Sequence, residues 1–300
     1  MEKTTRFGIE IEMTGITRKD AALAAQTVLG GELLYGGSYY DTYELKTFDG
    51  RTWKFTYDGS IRCETKTRGI KESASRLYSV ELVSPILTYE GDIESLQEVI
   101  RALRKAGAFT NSSCGIHIHL DGQPHTPRSI RNFVNIIYAR NDLFYKALGI
   151  EASRARYCKR MDEHLVATMN RAKPTTFAKI ESIWYEGYRG NRDAHYHESR
   201  YFLNLHSFFH GHKTVELRGF NSTLHAGEVR SYIVLALALN RQALTQSSAS
   251  TKKPQAENEK FAMRTYLNRI GFIGDEFKAC REHLCKRLSG NAAWRRRVAA

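Results

Sequence analysis

The chain has 300 residues, enough for one large domain or two smaller ones. Its 42% hydrophobic and 26% charged residues exclude a disordered or fibrous chain, and its longest apolar run, 233–239, is far too short to span a bilayer. The net charge of +13 and a pI near 9.5 favour acidic partners such as nucleic acid or another anionic polymer, but say nothing about fold.

In chain order, an amphipathic first strand, Phe7 to Met13, leads to a helix over 21–29, capped by Thr17 with Asp20 and stopped at Gly30-Gly31. Next comes a predicted aromatic hairpin, with arms 39–48 and 51–57 around Asp49-Gly50. Polar residues 62–76 read as a loop before a strand at 79–85. A helix then starts at Gly91 or Asp92 and ends at Gly107. The strand Gly115-Ile116-His117-Ile118-His119-Leu120 follows, and Thr126-Pro127 opens a long helix to Leu148, with Gly149 after its end. Residues 175–185 read as helix and 187–198 as loop. A second hairpin is expected from arms 201–209 and 213–220 around His210-Gly211-His212. A helix from about Glu228 to Leu244 precedes a linker at 246–260. Two short helices, 258–270 and 275–288, and a tail with three consecutive arginines at 295–297 close the chain.

Hairpins interleaved with helices predict an α+β architecture: a mostly antiparallel sheet with helices on one face and the active site on the other. The expected division is a catalytic domain at 1–245, the linker, and a helical extension with a basic tail at 261–300. Five scattered cysteines without a C-x-x-C read as reduced thiols. With no signal peptide visible, the expected location is cytoplasmic.

Period-2 alternation puts His117 and His119 on one strand face, with Ile116 and Ile118 on the other. The same holds for Glu10 and Glu12, for Glu81, and for Glu216 with Arg218. Each pattern alone also describes an ordinary solvated strand face. If these strands share a sheet, four carboxylates would gather on its polar face, where they would repel one another without cations among them. Oxygen-rich donors with an imidazole suit Mg²⁺ or Mn²⁺, and an arginine beside them suits phosphate. No P-loop or Rossmann motif is present.

These stretches resemble, in order, the motifs of the amidoligase family, carboxylate–amine ligases of the glutamine synthetase and glutamate–cysteine ligase superfamily. They are Gly8-Ile9-Glu10-Ile11-Glu12, Asp58-Gly59-Ser60 with Glu81-Leu82-Val83-Ser84-Pro85, Gly115-Ile116-His117-Ile118-His119, and Thr214-Val215-Glu216-Leu217-Arg218. Arg200-Tyr201-Phe202-Leu203-Asn204-Leu205 is similar as well. The resemblance implies a glutamine synthetase-like catalytic fold and an ATP-dependent reaction that forms an amide through an acyl phosphate. It implies one ion on Glu10, His117 and Glu216, and a second on Glu12 and Glu81. Arg218 and Arg200 would meet phosphate, and His119, Asp58, Asn204 and Ser60 would lie near the substrates. Glutamine synthetases give the second ion more carboxylates, for which Glu64, Glu72 and Asp121 are candidates. The expected partners are small-molecule or peptide carboxylates and amines, with a nucleic acid or anionic polymer on the basic surface. The alternatives are a phosphotransferase on the same scaffold and a nucleic-acid-binding protein without ATP turnover.

Overall fold

The computed structural model describes residues 2–37, 39–150, 152–154, 157–186 and 200–293. Contacts divide the chain into two units. One is Lys3–Ile118 with Phe220–Arg230, and the other is Met1–Glu2, His119–Gly219 and Ser231–Ala300. The division cuts the strands Gly115–Asp121 and Thr214–Asn221 and the helix Ala226–Thr245, so each gives residues to both units.

The first unit opens with β1 (Arg6–Met13) and α1 (Arg18–Leu29). The Thr17 side chain accepts from the Asp20 N–H at the start of α1, and Gly30 (φ 65°) ends it. A meander follows: β2 (Glu32–Tyr35), β3 (Tyr43–Lys46) and β4 (Thr52–Thr56), all paired antiparallel. Then come β5 (Glu64–Thr67), β6 (Ile70–Ser73), β7 (Val80–Val83), β8 (Leu87–Thr88), α2 (Tyr89–Lys105) and β9 (Gly115–Asp121). In this unit the sheet runs β9-β1-β7-β4-β3-β2, with β8 pairing the start of β1.

The β1–β7 register sets Glu12 opposite Glu81 and Ile11 opposite Leu82. Alternation therefore sorts the sheet into two chemistries. Ile9, Ile11, Met13, Val80, Leu82, Trp53 and Phe55 are buried on the apolar face. α1 packs on that side, and its Ala21, Ala22 and Ala25 allow close approach to the sheet and to α2. Glu10, Glu12 and Glu81 project from the opposite face.

Arg18 is the exception on the apolar side. It is 1% exposed and forms a salt bridge to Asp41. It also donates to the carbonyls of Asp41, Arg76 and Ser79, at 3.0, 2.9 and 2.7 Å. A buried guanidinium persists only when its N–H groups are taken up in this way.

The second unit contains α3 (Pro127–Leu148), α4 (Glu163–Ala172), α5 (Phe177–Trp184), β10 (Leu203–Asn204), α6 (His206–His210), β11 (Thr214–Asn221), α7 (Ala226–Thr245), α8 (Glu259–Arg269) and α9 (Lys278–Cys285). β10 pairs antiparallel with β11, setting Asn204 opposite Glu216, and β11 lies beside the part of β9 that belongs to this unit. The α7 run that is apolar on all sides is buried throughout. Asn132 and Asn135 of α3 donate to the carbonyls of Gln246 and Ala249, so the irregular stretch after α7 is tied to the helices.

Four local expectations are corrected. Residues 62–76 contain the β5–β6 hairpin, turned by Arg68 and Gly69 in positive-φ conformations. Its alternation is among polar residues, since β6 is exposed along its whole length. The arm expected over 201–209 is strand for two residues only. It then turns into α6, whose Phe208 is buried among aromatic rings. α4 and β2 were not expected; α4 is nonetheless capped by Asp162, which accepts from the Leu165 N–H. The loop reading for 187–198 and the arginines at 295–297 lie outside the described residues.

All five cysteines are free, and no described helix is long and apolar enough to cross a membrane.

Candidate active site

One group of candidate residues belongs to the first unit. Glu12 is 4% exposed, and its Oε2 accepts the Gly115 backbone N–H at 2.6 Å. Ser222 donates to the Glu12 carbonyl at 2.5 Å, which fixes the strand where this carboxylate leaves it. Directly across the sheet stands Glu81. Two like charges at paired positions repel, and burial strengthens the repulsion.

His117 completes this group. Its Nδ1 lies 2.9 Å from Glu10 Oε2, and its Nε2 lies 3.9 Å from Glu12 Oε1. One imidazole thus faces two carboxylates with its two nitrogens. A carboxylate orienting a histidine through one nitrogen, with the other directed into an acidic cluster, is a common arrangement around metal ligands.

Asp58 joins from the loop after β4. Its N–H donates to Ser79 Oγ at 3.1 Å, and Ser79 Oγ donates back to the Asp58 carbonyl at 2.6 Å. The Asp58 side chain accepts the Ser60 N–H at 2.5 Å. Ser60 therefore serves this turn through its backbone.

Two groups of donors result. One ligand atom each from Glu10, Glu81 and His117 lie within 4.8 Å of one another, and so do atoms from Glu12, Asp58 and Glu81. Glu81 belongs to both. These oxygen-rich sets, one with an imidazole, are compatible with a divalent cation. Glu81 adjoins Glu10 and His117 as well as Glu12, and Asp58 is the third carboxylate of the second group, which does not include Glu64, Glu72 or Asp121. Glu64 is instead taken by Arg62 at 3.0 Å and Lys71 at 3.7 Å. Glu72 lies on the exposed β6, and Asp121 accepts the Gln123 N–H.

The second unit holds a separate group of candidate residues. Glu216, 4% exposed, accepts from Asn204 Nδ2 at 3.0 Å and pairs with Arg218. Arg218 also donates through Nε to the Tyr157 carbonyl at 3.2 Å. His119 Nδ1 lies 3.1 Å from Thr214 Oγ1, which lies 2.8 Å from Ser207 Oγ. The Arg200 carbonyl accepts the Lys159 N–H, and Lys159 in turn accepts from Phe202, placing Arg200 on the segment that pairs with the Tyr157–Lys159 stretch.

Cys158 was not singled out in the sequence. Burial pushes its thiol up, opposed by the neighbouring Arg154 and Arg218 guanidinium groups. It is therefore a buried protonated thiol and no nucleophile. His125, in the same unit, is bonded to Ser129 and Asn240 and serves the helix packing.

Residues 3–240 match a family model described as "Putative amidoligase enzyme". The chain belongs to this family. The match covers every strand and helix that carries the residues above, and it marks the protein as a ligase-type enzyme. No curated protein matches the chain.

Proposed function

We propose that this amidoligase joins a carboxylate to an amine at the expense of ATP, through an acyl phosphate, on a glutamine synthetase-like scaffold. The observation that carries the reading is the pair of donor groups sharing Glu81 on the polar face of the sheet, within the stretch that matches the family. Divalent cations bound there would neutralise the phosphate oxygens of ATP and the carboxylates themselves.

In the proposed reaction a carboxylate oxygen attacks the γ-phosphorus, the bond to the bridging oxygen breaks and ADP leaves. The amine nitrogen then attacks the acyl carbon, the bond from that carbon to the phosphate oxygen breaks, and the amine loses a proton. Glu10, Glu12, Asp58, Glu81 and His117 are assigned to metal binding, and Glu216 retains the metal role that the resemblance gives it. Arg218 is assigned to the transferring phosphoryl group, where its planar fork matches the oxygens. Asn204 holds Glu216 in place, Arg200 is assigned to phosphate, and His119, oriented by Thr214, to the proton of the amine.

The test is ADP release by the purified chain with Mg²⁺ or Mn²⁺, screened over amino acids, polyamines and peptides, with products read by mass spectrometry. An amide product that requires both the metal and the amine is expected. A stable phosphorylated product would make the protein a phosphotransferase. Salt-sensitive nucleic-acid binding without ADP release would remove the ligase reading altogether.

A further inference from the structure

Away from the residues assigned to the reaction, the second unit contains a cavity of about 700 Å³. Arg140 and Leu143, three residues apart on α3, line it together with Phe261, Tyr266 and Arg269 of α8, and the stretch 254–258 completes the lining. The size and the mixture of apolar and polar groups are those of a small-molecule site. α8 lies beyond residues 3–240, so the family match does not account for this cavity.

Two of the lining residues are cations. The Arg140 guanidinium lies 3.8 Å from the centroid of the Tyr266 ring, at stacking distance. That ring is a firm support. It is buried, its hydroxyl donates to Gln242 Oε1 at 2.6 Å, and Phe144 packs on it with ring centroids 6.1 Å apart. Stacking uses the face of a guanidinium and leaves its N–H edge for an acceptor. Arg269 ends α8 three residues after Tyr266, so the two share one side of the helix. Neither arginine has a carboxylate partner among the described residues. Burial lowers the Arg140 pKa, Tyr266 opposes this, and the Arg269 charge adds to the lowering. Two guanidinium groups that repel each other beside a cavity favour an anion there. The acid in the lining, Glu257, precedes α8, whereas Arg269 ends it, and the 11 residues of the helix span about 16 Å. The arginine end therefore stays positive.

We propose that this cavity binds a small molecule that carries an oxyanion on an apolar or aromatic body. Arg140 and Arg269 take the oxyanion, and Leu143 and Phe261 take the body. Phosphoryl and carboxylate oxygens offer a guanidinium fork the same chemistry, and the probes below separate them. None of these residues belongs to the metal groups or to the residues assigned to phosphate, so the site does not depend on the ligase reading.

The probes are phenyl phosphate, benzoate and inorganic phosphate, titrated calorimetrically into the full chain at constant ionic strength. At least one aryl anion should bind wild type about tenfold or more tighter than inorganic phosphate, because only the aryl anions fill the apolar lining. Tighter binding of phenyl phosphate assigns a phosphoryl ligand, and tighter binding of benzoate a carboxylate. Arg140→Gln and Arg269→Gln should each weaken aryl-anion binding by about tenfold or more, the loss of one charged hydrogen bond. Arg264→Gln makes the same charge change on α8 at a residue outside the lining, and should leave binding unchanged. Three results overturn the proposal: a wild type that binds the aryl anions no better than inorganic phosphate, variants at Arg140 and Arg269 that bind like wild type, or a loss at Arg264 as large as at Arg269. Arg140→Gln removes the stack on Tyr266; should it fail to fold, Arg269→Gln decides alone, since Arg269 is exposed.

Discussion

Glu12 and Glu81 are direct cross-strand partners, two carboxylates facing each other between β1 and β7. Such a pair is a defect in a sheet that serves only stability and an asset in one that binds cations. The first prediction follows from that conflict. Without metal, Glu81→Gln should be more stable than wild type, by about 0.2–1 kcal/mol for relief of one like-charge pair. With Mn²⁺ in hundredfold excess over its Kd, wild type should gain about 2.7 kcal/mol and the variant far less. Thermal melts with and without metal read both signs. A metal-free variant less stable than wild type would show that the pair is compensated within the protein.

Arg218 is bonded to Glu216 and to the Tyr157 carbonyl, so it is aimed before any ligand arrives. Arg218→Ala should lower kcat by about two to three orders of magnitude, the loss expected for one electrostatic donor in a transition state. Lys should restore part of it. ADP release and amide formation measure the loss, with circular dichroism as the folding control. Near-normal turnover in a folded variant would take Arg218 out of the mechanism.

Asn204 has a narrower role, offering one N–H to a buried carboxylate. Asn204→Ala should cost about 1.5–3 kcal/mol, the range for losing a hydrogen bond to a charged group. Asn204→Asp should cost more, because it places a second carboxylate against Glu216. Denaturant titration of the two variants checks the order. Equal losses would show that the amide matters for its shape alone.

Asp41 gives a pH signature. Burial pushes its carboxyl up, but the hydrogen bonds from Arg18 and Tyr35 outweigh it and hold the group below its ordinary value of 3.8. Its folded-state value is therefore the depressed one. The stability it contributes is fully present above the unfolded value and is lost as pH falls through the folded one. Asp41→Asn should flatten the acid limb of the stability curve below about pH 4 and leave it unchanged in shape near neutrality. Melts between pH 2 and pH 7 test this, and an acid limb identical to wild type would show that other carboxylates control it.

The sequence made much of this legible because the signals were chemical as well as periodic. Thr126-Pro127 and Gly149 bound α3 as expected, and the Ile/Glu and Ile/His alternations led to Glu10, Glu12 and His117. The β5–β6 hairpin was missed because strands that bury nothing leave no apolar period to read. α6 was missed because a stretch dense in aromatic residues scores as strand, whereas here its shape follows from packing around Phe208. Asp58 was assigned near the substrates; its place beside Glu12 and Glu81 depends on Ser79, 21 residues away.

Arg18 holds the carbonyl of Ser79, and the Ser79 hydroxyl holds Asp58. A random-mutagenesis screen for lost metal binding should therefore return hits on the far side of the sheet, at the first residue of α1. Those hits would form their own complementation class. Their metal affinity should return when the loop before β7 is braced by other means, such as a local cross-link, whereas loss at Glu12 or Glu81 should resist every such suppressor. An inherited variant at Arg18 would look like a folding allele by its address and like an active-site allele by its phenotype.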